Sequence, residues 1–195
     1  MRKAVSPVFS YVVAFIVAVV VLSAAIISIY QYHSLSAPTN TTSTSTTPSR
    51  VTLPVISSNK TVVVYLVALS SASTFNLNGT SFGQMTIYVP SGDNIEVKFT
   101  NQESLQHNLL LVMNDTPTPN AADLSSDGKI LMYVGTSSSS YTIQGLSSGQ
   151  TAVGVYGPLS SGTYWLACGI SGHAESGMWV NLVVSSNITS PYVTG

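Results

Sequence analysis

Between Lys3 and Arg50 the chain carries no Asp, Glu, Lys or Arg. Within that gap Val8 to Ile29 form an apolar run of 22 residues, interrupted only by Ser10, Tyr11, Ser23 and Ser28. As a helix such a run rises about 33 Å, enough to cross a hydrocarbon core. A cleaved secretory signal has a shorter apolar core, about 7–15 residues, and a small-residue cleavage site. Leu35-Ser36-Ala37 makes a poor site because Pro38 follows it. Residues 1–33 are therefore expected to anchor the chain, with a transmembrane helix at about 8–30. Arg2 and Lys3 stay on the cytoplasmic side. Everything after Tyr30 then lies outside, which predicts a single-pass protein of the cell membrane with an extracellular domain.

The opening Arg2-Lys3-Ala4-Val5-Ser6-Pro7 resembles archaeal pilin-type leaders, which leaves cleavage near the N-terminus open. Residues 34–59 begin with a Ser/Thr/Pro-rich stretch almost free of large apolar side chains and read as an extended linker. Taken as a coil, residues 31–60 span roughly 30 Å by root-mean-square distance. Asn-x-Ser/Thr sequons start at Asn40, Asn59, Asn78, Asn114 and Asn187, consistent with an exported, glycosylated protein.

Charge excludes one broad class of partner. With 6 Lys+Arg against 7 Asp+Glu, the chain has no basic stripe to neutralise phosphates, so nucleic acid is not expected as a partner. A single cysteine, Cys168, excludes a disulfide scaffold.

Residues 60–187 read as one all-β domain, followed by a tail at 188–195. Strands are expected at Thr61–Leu69, Met85–Val89, Asn94–Thr100, His107–Met113, Tyr141–Ile143, Ala152–Tyr156, Thr163–Cys168 and Met178–Val184. Ser-Gly, Asn-Gly, Asp-Gly and Gly-Pro turn signals separate them. Short strands with regular turns and no helical period indicate a β-sandwich or barrel. Ala121–Leu124 is expected to form at most a helical turn.

The chemistry concentrates in Gly162–Val184, where Cys168, His173 and Met178 are spaced Cys-x4-His-x4-Met on a Gly/Ser loop between two strands. A thiolate, an imidazole and a thioether are one histidine short of a type 1 copper site, which uses two His, one Cys and a weak axial Met. Beyond the anchor at 1–33 the histidines are His107 and His173, so His107 is the candidate from another strand. Soft sulfur suits Cu(I) and nitrogen suits Cu(II), so this mixed set tolerates both states. Met85 and Met113 remain open as axial alternatives, although neither shares the loop. Taken singly, each residue has a plainer reading as an inert buried thiol or a core side chain. Tyr164, Trp165 and Trp179 read as core aromatics, and Glu175 as a solvated side chain.

The motif His107-Asn108, then Tyr164-x-Leu-x-Cys168, His173 and Met178 resembles the cupredoxins, the blue copper proteins. The ligand loop is like that of rusticyanin-type proteins. With the anchor, the linker, FNLNGTSFGQMTIYVP, NQESLQHN and CGISGHAESGMW, the chain is similar to the sulfocyanin family, membrane-anchored blue copper proteins of acidophilic archaea. The resemblance implies a Greek-key cupredoxin fold and one type 1 copper held by His107, Cys168, His173 and Met178. It also implies that Asn108 hydrogen-bonds to the Cys168 loop. Some members have Pro where this chain has Gln106.

The implied role is electron carriage rather than catalysis. A monomeric copper domain would pass single electrons in a respiratory chain, from a donor complex or Fe(II) to a haem-copper terminal oxidase. A small copper oxidase or reductase is the alternative, but a second copper site needs histidines that one monomer lacks. A structural, pilin-like protein would leave the Cys168 constellation unexplained. Around His173, Ile170, Gly172 and Ala174 are expected to form the docking patch.

Overall fold

The computed structural model describes residues 49–72 and 75–195. The expected anchor at 1–33, and the linker up to residue 48, lie outside the described residues. Among the described residues no helix is long and apolar enough to cross a membrane.

The described residues form two sheets. The larger contains β1 (Val51–Thr52), β4 (Thr86–Pro90), β6 (Leu109–Asn114), β7 (Gly128–Val134), β9 (Gly162–Ala167), β10 (Trp179–Ser185) and β11 (Tyr192–Thr194), ordered β1-β11-β4-β10-β9-β6-β7. The smaller contains β2 (Val55–Ile56), β3 (Thr61–Ala68), β5 (Asn94–Asn101) and β8 (Thr151–Tyr156), ordered β2-β3-β5-β8. β4 runs parallel to β10 and β3 parallel to β5, while the other pairs are antiparallel, so both sheets are mixed.

Side-chain alternation explains how the sheets face each other. In β5, Ile95, Val97 and Phe99 are fully buried while Lys98 is exposed. They join Val62, Val64 and Leu66 of β3 and the inner residues of β9 and β10 in the main core. In the larger sheet, β6 and β9 are buried on both faces. Leu110, Val112, Trp165, Ala167 and Trp179 form a second cluster with Leu124 and Ala174. That accounts for the unbroken apolar run Leu109–Val112, because a strand covered on both sides does not alternate.

Several borders differ from the sequence expectation. β1 and β2 occupy residues read as linker, and β11 occupies residues read as tail. These strands are too short to stand out alone, and they gain their hydrogen bonds by pairing with β11, β3 and β4. β7 went unanticipated because its Lys129 and two Leu/Met positions break clean alternation. Tyr141–Ile143 is not a strand: the Ile143 and Gln144 amides both bond to the Ser140 carbonyl, at 3.0 and 2.8 Å, closing a turn in a serine-rich stretch. The expected helical turn falls slightly later, as a 3-10 turn at Leu124–Ser126 capped by the Asp123 carboxylate.

Candidate metal centre

Three neighbouring antiparallel strands deliver the candidate ligands to one end of the larger sheet. Ala167, the last residue of β9, is level with Leu110 of β6 on one side and Trp179 of β10 on the other. Cys168 follows Ala167, Met178 precedes Trp179, and His107 lies three residues before Leu110. The loop between Cys168 and Met178 is closed at its base. The Cys168 amide donates to the Met178 carbonyl and the Met178 amide to the His173 carbonyl, both at 3.0 Å.

His107, Cys168 and His173 converge. The two Nδ1 atoms are 3.2 Å apart, and Cys168 Sγ lies 3.8 Å from His107 Nδ1 and 3.5 Å from His173 Nδ1. A triangle with those sides has its centre about 2 Å from every corner, the length of a metal–imidazole bond. Cys168 and His107 are fully buried, whereas His173 is half-buried at the surface. Among the axial candidates, Met178 is fully buried and bonded through its backbone to both Cys168 and His173. Met113 is 39% exposed, and Met85 lines a separate small cleft with Leu53 and Val193.

Asn108 steadies this end of the sheet. Its Oδ1 accepts from the Gly169 amide at 2.7 Å, and its Nδ2 donates to the carbonyls of Tyr141 and Gln144, each at 2.7 Å. Gly169 has no room for a side chain, because a β-carbon there would overlap Leu110. Gln106 adds a further tie, its side-chain oxygen accepting from the Gly145 amide at 3.3 Å.

Electrostatics prepare the site for a metal. Burial pushes the His107 imidazole down to about 4, helped by the charge of His173, and burial lowers His173 as well. Both rings are therefore neutral at neutral pH, the form that binds a cation. Burial pushes the Cys168 thiol up to about 12, against the opposing backbone N–H groups of Asn108 and Ile170. A metal binding here must displace that proton. Convergent thiol and imidazole donors, with no carboxylate in the cluster, fit a copper ion of the type 1 class.

Phe75 was not anticipated. Its ring lies 4.6 Å from the His173 ring and 6.5 Å from the His107 ring, edge-on to the latter. The residue adopts φ 63°, a left-handed conformation costly for an aromatic side chain. The Ser81 hydroxyl bonds to its carbonyl at 3.2 Å, and the neighbouring Asn76 carboxamide bonds Leu69 and Glu103. No periodicity marks this loop, so nothing in the sequence alone singled Phe75 out.

The surroundings of His173 also differ from expectation. Ala174 is only 3% exposed and packs in the second cluster, because the ligand loop folds over the outer face of the sheet. Exposed apolar side chains come from other loops instead. Phe82 is 64% exposed and lies on Gly177, Ile143 is 73% exposed beside the Thr142–Ser171 hydrogen bond, and Leu105 is 48% exposed just before His107.

Residues 48–195 match the family model described as the Sulfocyanin (SoxE) domain, and residues 2–49 match the model described as Sulfocyanin, N-terminal. The sulfocyanin of Sulfolobus acidocaldarius is 55% identical over 141 residues, which cover 71% of each chain. Among solved structures, rusticyanin from Thiobacillus ferrooxidans is similar at 24% identity and TM-score 0.45, covering 65% of this chain and 78% of its own. Auracyanin A, a "blue" copper protein from Chloroflexus aurantiacus, is similar at 22% identity and TM-score 0.43, covering 64% of this chain and 99% of its own.

Proposed function

Given that the chain belongs to the sulfocyanin family, we propose that it carries single electrons through one type 1 copper on the outer face of the membrane. His107, Cys168 and His173 would hold the ion, with Met178 as the weak axial donor. Bound copper supplies the Cu(I)/Cu(II) couple. The observation carrying this reading is the convergence of two Nδ1 atoms and one Sγ at ligand spacing.

The protein's own residues supply the rest. Asn108 and the closed loop base fix the donors, so little has to move when the charge changes. The Phe75 ring packs beside both imidazoles. The half-buried His173 edge is the exit for the electron. Phe82, Leu105 and Ile143 form an apolar rim suited to brief docking, since weak redox encounters use small interfaces.

In this reading residues 1–33 anchor the chain and the linker gives the domain reach. Electrons arrive from a donor complex or Fe(II) and leave to a haem-copper terminal oxidase. The test is to add Cu(II) to the metal-free protein. The expected result is one equivalent bound, an intense thiolate-to-copper band in the visible and a reversible one-electron titration. A colourless product would overturn the assignment.

A further inference from the structure

We infer that Asn187 is the N-glycan acceptor of the folded domain, and that the sequons at Asn59, Asn78 and Asn114 are not modified. Glycan transfer needs two groups of a sequon free at once: the asparagine carboxamide that reacts and the hydroxyl two residues on that is recognised. The structure separates the sequons by that criterion.

At Asn78 the carboxamide accepts from the Val67 amide at 2.8 Å and donates to the Tyr65 carbonyl at 3.0 Å. The Thr80 hydroxyl donates to the Leu77 carbonyl at 2.8 Å. At Asn114 the Nδ2 donates to the Thr116 carbonyl at 2.7 Å, while the Thr116 hydroxyl donates to Thr118 at 2.9 Å. Asn59 is exposed, but its partner Thr61 is 2% exposed inside β3 with a buried hydroxyl. Using any of these sequons would require opening the fold.

Asn187 differs on both counts. It and Thr189 are exposed, and among the described residues neither side chain makes a hydrogen bond. Asn187, Ile188 and Thr189 also line a groove of about 520 Å³ with Arg50, Tyr88 and Tyr192. Tyr88 and Tyr192 stack at 4.5 Å, and the Arg50 guanidinium lies 4.5 Å above the Tyr192 ring. The first sugars thus have open volume beside an aromatic wall. The groove lies at the far end of β10 from Met178, a strand of seven residues and roughly 20 Å away, so a glycan there leaves the His173 edge clear.

The transfer itself balances simply. Nδ2 of Asn187 bonds to the anomeric carbon of a lipid-linked sugar phosphate donor. The anomeric C–O bond breaks, the phosphate leaves with the electron pair, and Nδ2 gives up one proton. The inference rests on the extracellular placement proposed above, which protease treatment of intact cells tests by itself. Full-length protein from a glycosylating host is then examined by peptide mass spectrometry. The expected result is sugar mass at Asn187, lost in Asn187→Gln and Thr189→Val and kept in Thr189→Ser. A protease-accessible domain with Asn187 bare overturns the inference, as does sugar at Asn59, Asn78 or Asn114. A domain sheltered from protease overturns the placement and the inference together.

Discussion

The carboxamide oxygen of Asn108 accepts a hydrogen bond from the amide of Gly169 at 2.7 Å, across 61 residues of sequence. One side chain thereby joins the start of β6 to the residue after Cys168. Asn108→Ala leaves the Gly169 amide and the Tyr141 and Gln144 carbonyls without their partner, each costing about 1–3 kcal/mol. We expect a loss of about 3 kcal/mol or more in denaturant unfolding of the metal-free protein. A loss below about 1 kcal/mol would mean that the loop is held by its base alone.

The ligand roles predict distinct spectra. Cys168→Ser should remove the visible band, since the band needs the thiolate. His107→Ala should weaken copper binding by opening the trigonal set. Met178→Leu is close to volume-conserving, so it should cost less than about 1.5 kcal/mol and keep the copper. Its potential should rise, because losing a donor disfavours Cu(II) more than Cu(I). Loss of copper in this variant, measured by metal analysis, would contradict a weak axial role.

Metal-free protein should lose stability toward acid. The folded-state value of His107 is about 4 against an ordinary 6.5, so between those limits the unfolded chain binds a proton that the folded chain refuses. The contribution is fully present above pH 6.5 and falls away toward pH 4, by about 3 kcal/mol in all. His173 acts in the same direction. At the alkaline side Cys168, raised from 9 to about 12, makes stability fall as pH climbs through that interval. Unfolding free energies from pH 4 to pH 10 would check this, and an unchanged value below pH 6.5 would contradict neutral buried imidazoles. Copper-loaded protein should hold its stability further into acid than the metal-free form.

Two aspartate substitutions should separate packing from docking. Ala174→Asp puts a carboxylate into the cluster with Trp165 and Trp179, and should destabilise the domain by several kcal/mol, on the order of 3. Ile143→Asp sits on an exposed side chain, and should leave stability within about 0.5 kcal/mol. Its effect should be slower electron transfer to the partner at unchanged absorbance. Equal transfer rates in Ile143→Asp and the parent chain would move the docking surface elsewhere.

The convergence at this end of the sheet was legible because Cys168, His173 and Met178 are close in sequence, and His107 because so few histidines exist. The strands β3, β5, β9 and β10 announced themselves through β-branched runs or alternation. What the sequence concealed depends on long-range packing. Ala174 looks like a small surface residue until a second cluster forms outside the larger sheet. Phe75 reaches both histidines from a loop whose order comes from Asn76 and Ser81. β7 and the short edge strands exist only because a partner strand is present to pair with them.

His107 and Cys168 stand 61 residues apart in the chain, yet Nδ1 and Sγ lie 3.8 Å from each other. Anything that grips both closes a loop of that length, and in chain-entropy terms such a closure is worth about 4 kcal/mol against the unfolded state. A protein with one cysteine cannot obtain that gain by oxidation. A metal held by the proposed ligands would offer the same topological restraint as a disulfide, in a form that a chelator can remove and added metal can restore.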